Sequence, residues 1–268
     1  METRCRIACL MYHEVTDDST SSGFQRPAAR RYAQKPALFR RHLDRIERSG
    51  MVPARVDQVE LGKPGRHLML TFDDGGRSAL HVADQLAERG WPAHFFIVTE
   101  RIGARTFLGP ADIRRLRSDG HLVGSHSHTH PDIFRDGTRP LMLEEWRVSA
   151  AILEDLLGEP CSAAAVPGGD ISPEVLATAR DSGFRYLFTS EPWVVPRLLG
   201  GCWVVGRVCL KAGVSPDTVA ALTQFRGWGR ARFVRALKGV ARYGLGPLYR
   251  MYVAHTTRPV PPVGATGA

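Results

Sequence analysis

The chain has 268 residues, 43% of them hydrophobic, and a formal net charge of +9. That length can bury a full core as one large domain, and no Ser/Gly or Pro-rich linker divides its middle. No run approaches the ~18 apolar residues of a membrane span, and five cysteines (Cys5, Cys9, Cys161, Cys202, Cys209) without CxxC spacing argue against a disulfide framework or zinc knuckle and read as buried free thiols.

The opening METRCRIACLMY lacks a long apolar stretch and a small-residue cleavage site, so the reading places the protein in the cytoplasm. In chain order, short apolar runs at 7–12, 68–72, 93–98, 121–125, 162–166, 184–189 and 203–208 predict strands. Helix-like stretches at 36–49, 78–89, 111–118, 141–157 and 173–182 lie between most of them, each closed by a glycine. Strands alternating with amphipathic helices imply an α/β fold with a parallel sheet. Near-continuous apolar strands favour a sheet covered on both faces. The polar, aperiodic segment 16–34 reads as a mobile loop over one end of that sheet.

The strand at 68–72 runs into Asp73, Asp74, Gly75 and Gly76. Along a strand Thr71 and Asp73 share one face while Asp74 points away; a break at the glycines lets both carboxylates reach the strand's C-terminal end, where parallel α/β folds place their sites. A lone Asp-Asp-Gly is commonly only a solvated turn. The second cluster, GSHSHTHPDI, holds His126, His128 and His130. In a helical turn His126 and His130 share a face, and in an extended segment all three do; either suits imidazoles on one ion. Pro131 limits the helical option to a short turn.

TFDDG at 71–75 followed by an H-[ST]-x-x-H element, here His126-Ser127-His128-Thr129-His130, resembles the polysaccharide deacetylase family, carbohydrate esterases related to the nodulation chitooligosaccharide deacetylases. The resemblance covers residues 5 to 210 or so and implies a distorted (β/α) barrel of about seven parallel strands. It further implies that Asp74, His126 and His130 bind a divalent metal, zinc first, with cobalt, nickel or manganese as alternatives, and that Asp73 is the general base. Two motifs depart from the pattern. Where many members have R-x-P-x-G, this chain reads Ala165-Val166-Pro167-Gly168-Gly169, so the arginine that would hold the base is missing; the Gly168 N–H can still serve an oxyanion, and Arg207 is the candidate replacement for the guanidinium. The late L-x-x-H element is also absent, its strand reading Val208-Cys209-Leu210-Lys211. Members similar to the biofilm poly-N-acetylglucosamine deacetylases are circularly permuted and carry the acid histidine on the first strand. "LMYHEV" matches that pattern and makes His13 the candidate general acid. Trp193, in SEPW, resembles the aromatic wall of the acyl pocket. The chemistry implied is metal-assisted attack of water on an amide, with Asp73 taking a proton and His13 giving one to the leaving amine.

After Asp217 the chain has no acid, while Arg226, Arg230, Arg232, Arg235, Lys238, Arg242, Arg250 and Arg258 add charge. The division expected is a catalytic domain at 1–225, a basic amphipathic helical extension at 226–258 and a disordered tail at 259–268. Phe233, Leu237 and Val240 share one helical face, which suits either the inner face of a membrane or packing on the barrel. Nucleic acid is not expected as a partner, because base-stacking modules are missing. The substrate expected is an N-acylated sugar or a glycolipid inside the cell. Two rivals are a cytoplasmic amide or cyclic imide hydrolase on the same scaffold, and a non-catalytic metal-holding protein that binds glycan or membrane.

Overall fold

The computed structural model describes residues 3–18 and 20–244. Strands β1 (Cys5–Tyr12) and β2 (Gly65–Phe72) pair in parallel from Cys5 opposite Gly65 to Tyr12 opposite Phe72. To β2 are added, in order and all parallel, β3 (His94–Ile97), β4 (Leu122–Ser125), β5 (Ala163–Ala165) and β6 (Tyr186–Phe188). Helices α1 (Pro36–Arg48), α2 (Ser78–Ala87), α3 (Pro110–Ser118), α4 (Arg139–Leu157) and α5 (Pro173–Asp181) supply the crossovers. A short strand not foreseen in the sequence, β7 (Arg197–Leu199), runs antiparallel to β8 (Cys202–Val205).

The run expected at 203–208 divides in two. Its first part, β8, pairs with β6, and its continuation, β9 (Val208–Cys209), pairs with β1. Only Gly206 and Arg207 lie between β8 and β9, a reach of at most ~11 Å, so the two ends of the nine-stranded ladder meet in one kinked strand. The result is a distorted (β/α) barrel with seven parallel positions and β7 as an added edge. Only glycine fits at the kink: a Cβ on Gly206 would lie 2.3 Å from Trp193 Cδ1 and 2.4 Å from the Glu191 carbonyl oxygen.

Strand alternation builds two cores. Ala8, Leu10, Tyr12, Leu68, Leu70 and Phe72 face the helices, where they meet Phe39, Leu43 and Ile46 of α1. These three recur at helical spacing, and burying each contributes about 1.5–3 kcal/mol. Ile7, Cys9 and Met69 face inward with Phe96, Ala163, Ala165, Phe188 and Val205. All five cysteines are free and four are buried.

The segment expected as a loop is irregular over most of its length and folds back on itself. Thr16 N–H donates to Gln34 O at 2.9 Å, Gln34 N–H donates to Glu14 O at 2.8 Å, and a 3-10 turn spans Ala29–Tyr32. Glu14, 7% exposed, accepts hydrogen bonds from Ser22 and Ser78 and so ties this segment to the start of α2.

Beyond β9 come α6 (Pro216–Thr223) and α7 (Trp228–Gly244). Trp228 is buried in the outer core and donates from Nε1 to Leu222 O. Farther along α7 the apolar side points outward: Phe233 is 65% and Leu237 55% exposed. The remainder of the expected extension, 245–258, and the 259–268 tail lie outside the described residues, as does the side chain of Val240. Among the described residues no helix is long and apolar enough to cross a membrane.

Candidate active site

His13, Asp73, Asp74, His126, His130, Gly168 and Arg207 lie in the turns that follow strand C-termini, where β/α barrels form their sites, whereas Trp193 lies farther along the loop between β6 and β7, next to Val194, whose carbonyl accepts from Ile7 N. Met69, Thr71 and Asp73 form one inward column of β2, which carries Asp73 into the barrel mouth. The chain then breaks at Asp74 itself, whose φ is 78°, rather than only at the glycines after it. That left-handed residue turns the second carboxylate back beside the first. After β4 the HSHTH segment is neither helical nor extended: Ser127 (φ 65°) and His130 (φ 60°) are both left-handed. Such conformations cost on the order of 1–3 kcal/mol each, and three of them gather at one site.

What holds the second turn is a group the sequence reading missed. The buried carboxylate of Glu145, on α4, accepts from His128 N at 2.9 Å, Thr129 N at 2.8 Å and Thr129 Oγ1 at 2.6 Å. Ser127 Oγ accepts from His130 N, and Ser125 Oγ from Ser127 N. A signal was present. The buried stripe of α4, with Met142, Trp146, Ser149 and Leu153, has a carboxylate at a core position.

Asp74, His126 and His130 present one ligand atom each, all within 4.8 Å of one another. His126 Nε2 is 3.5 Å and His130 Nε2 3.7 Å from Asp74 Oδ1. His126 Nδ1 donates to Ala165 O at 2.9 Å, which leaves its Nε2 as the lone-pair atom facing a carboxylate oxygen. Two acceptors facing each other need a proton or a cation between them, so the donor set fits a divalent metal. The electrostatics agree. Burial opposes charge on His126, yet Asp73 and Asp74 outweigh it and raise its pKa, while burial and the neighbouring His126 lower His130 to about 4. Burial also opposes the charge on Asp74, but the bond to His126 and the charges of His13, His130 and His126 hold it well below the usual carboxylate range. His128 turns away and bonds Thr99 Oγ1 through Nδ1.

Asp73 is held by Arg207. Nη1 donates to Oδ1 at 2.7 Å and Nη2 to Oδ2 at 2.9 Å, a fork-on-carboxylate pair. Arg207, fully buried, also donates to Thr71 Oγ1 and Thr189 O and lies over the rings of Phe96 and Phe188. Desolvation opposes the charge on Asp73, and the guanidinium more than compensates, holding its pKa below the ordinary value. Residue 165 contributes its carbonyl to His126 and nothing to Asp73.

His13 directly follows β1, stacked on Tyr32 with ring centroids 4.7 Å apart. Burial lowers its pKa, with Asp74 and Asp73 pulling the other way, so it lies within electrostatic reach of both carboxylates. β1 pairs with β9 as Met11 opposite Cys209. This places His13 one strand from Lys211, the position without a late histidine. Phe24, from the folded-back segment, packs against His130 at 5.1 Å between centroids. Gly168, left-handed and exposed, lies in the turn Pro167–Gly169 after β5. Trp193 is half-buried, with its Nε1 unpartnered and the Arg197 guanidinium 3.8 Å over its ring.

Comparison with known proteins bears on this geometry. The family described as polysaccharide deacetylase matches residues 61–187, which contain Asp73, Asp74, His126, His130 and Gly168. A chitooligosaccharide deacetylase of Rhizobium leguminosarum bv. trifolii is 31% identical over 176 residues, covering 60% of this chain and 78% of that protein. The chain belongs to the polysaccharide deacetylase family. This family member is an enzyme, a hydrolase of carbon–nitrogen bonds other than peptide bonds. A peptidoglycan-N-acetylglucosamine deacetylase of Listeria monocytogenes is 25% identical over 177 residues, 63% of this chain, but the match spans only 37% of that longer protein. Among solved structures, IcaB from Ammonifex degensii superposes with a TM-score of 0.70 at 25% identity, over 83% of this chain and 98% of the other. His13, Trp193 and Arg207 lie outside the family match.

Proposed function

We propose that this deacetylase hydrolyses the N-acyl amide, acetyl in the first instance, of an amino sugar. The observation that carries this reading is the Asp74, His126 and His130 cluster beside an Asp73 gripped by Arg207. A divalent metal on the three ligands, zinc first, supplies Lewis acidity toward the amide carbonyl and toward water. Asp73, kept anionic and oriented by Arg207, accepts the proton of the attacking water on a lone pair the guanidinium leaves free. The Gly168 N–H donates to the oxygen on which negative charge develops. His13, at the end of the strand next to the one that carries Asp73, donates a proton in its imidazolium form to the leaving nitrogen, which an amine needs to depart. Trp193 closes the acyl pocket.

A finer reading is a lipid-linked amino sugar met at the cytoplasmic face of a membrane. The exposed Phe233 and Leu237 on a helix whose charged residues are all basic support it. The decisive experiment measures acetate released from N-acetylated soluble and lipid-linked sugars by zinc-loaded protein and by His126→Ala. Turnover in the first and none in the second is expected. Equal release by both would refute the site, and release from neither substrate class would refute the reaction.

A further inference from the structure

Arg235, on the barrel side of α7, is the one basic residue of that helix whose guanidinium lies between two carboxylates among the described residues. Its Nε and Nη2 donate to Glu191 Oε1 at 3.0 and 2.7 Å, and Nη2 also donates to Asp170 Oδ1. Asp170 directly follows the turn Pro167–Gly169 that carries Gly168. Glu191 begins the segment that carries Trp193, and its backbone oxygen accepts from Trp193 N at 2.9 Å and Arg207 N at 3.0 Å. The two segments also touch directly: Ser190 N donates to Gly169 O at 2.9 Å, and a Cβ on Gly169 would lie 1.7 Å from Ser190 Oγ. A continuous set of contacts therefore runs from α7 through Glu191 to Arg207 and on to Asp73.

We propose that Arg235 is a positioning residue for deacetylation: by clasping Asp170 and Glu191 it fixes the two walls of the acyl pocket and thereby sets which acyl groups the enzyme accepts. The physical ground is that a planar guanidinium satisfies two carboxylates in fixed directions, whereas without it the two anions repel and the walls part. The helix beyond the family match is then a working part of the catalytic unit. This inference rests on the amino-sugar reading and on Gly168 and Trp193 as pocket walls.

The test compares wild type with Arg235→Gln, Arg235→Lys and the double variant Asp170→Asn/Glu191→Gln, which removes the clasp without stranding buried carboxylates. Arg232→Gln, an exposed position on the same helix, is the control. Rates on N-acetyl, N-propionyl and N-butyryl glucosamine oligomers are read alongside amide hydrogen exchange at 167–170 and 189–193. The clasp variants should keep metal stoichiometry, lose about 10- to 100-fold in kcat on the acetyl substrate, shift the butyryl-to-acetyl ratio toward the bulkier acyl, and exchange faster at both segments. Arg235→Lys should recover part of each effect, and Arg232→Gln should match wild type. Folded clasp variants with wild-type selectivity and exchange overturn the proposal. A wild type inactive on every substrate refutes the amino-sugar reading instead, and exchange on the protein itself then decides whether Arg235 holds the walls.

Discussion

At the scale of single residues, the pair that matters most is Asp73 with Arg207, both almost wholly buried. Breaking a buried ion pair from one side strands a charge, at a cost of about 3–5 kcal/mol. Arg207→Met should therefore lower the unfolding free energy by that order, and adding Asp73→Asn should restore part of it; denaturant titration of the two variants checks this. Asp73→Asn alone should keep metal stoichiometry yet lose most turnover, whereas Asp74→Asn should lose metal, as elemental analysis will read. His13→Ala should lower kcat on an amide by roughly 10²–10⁴ and cost less on an activated ester, whose leaving group needs no proton. Equal losses on both would reduce His13 to a strand cap. Much of this site was legible as residue types, because two carboxylates and paired histidines at strand ends have few purely structural explanations. Arg207 was legible only as the arginine that could make good a missing one. Its fork on Asp73 depends on the kink at Gly206, which no local pattern announces.

At the scale of elements, two segments beside the candidate metal cluster are each held by a buried carboxylate outside it. Glu145 gives its carboxylate to three donors of the HSHTH turn. Glu145→Ala should weaken metal affinity about 10- to 100-fold while leaving all three ligands in place, measurable by competition with a chromophoric chelator. The folded-back segment 16–34 is tied down by Glu14, whose pKa burial raises to about 7 from 4.5 even though Ser22 and Ser78 pull it down. Between those two values the folded protein holds a proton that the unfolded chain has released. The stability is therefore fully present below about 4.5 and is lost as pH rises through that window. Glu14→Gln mimics the protonated form, so its Tm advantage over wild type should be small near pH 4.5 and grow toward pH 8. A constant difference across that range would show that Glu14 does not titrate there. Sequence periodicity foresaw neither tie, since each joins a side chain of one element to a turn or loop outside it, where no hydrophobic period runs.

At the scale of the whole molecule, α7 offers two surfaces: Arg235 toward the barrel, and Phe233 with Leu237 toward solvent. Phe233→Ser/Leu237→Ser should cut binding to vesicles containing anionic lipid at low salt without altering turnover of a soluble sugar; unchanged vesicle binding would remove the membrane from the finer reading. The alternation of strand and helix was readable because each element has its own hydrophobic period. Closure was not readable, because 203–208 looks like one strand and only the tertiary fold divides it between β6 and β1. That closure has a consequence in time. β1 is made before the rest of the barrel, yet its far edge is covered by late segments: Ile7 N–H donates to Val194 O, and Leu10 meets Val208 of β9. Roughly 200 residues must be made in between, some ten seconds or more at the usual pace of synthesis. Until then one edge of the apolar strand CRIACLMY stands open, with Gly65–Phe72 as its only sheet partner. The nascent chain should therefore be most prone to edge-to-edge pairing in that interval.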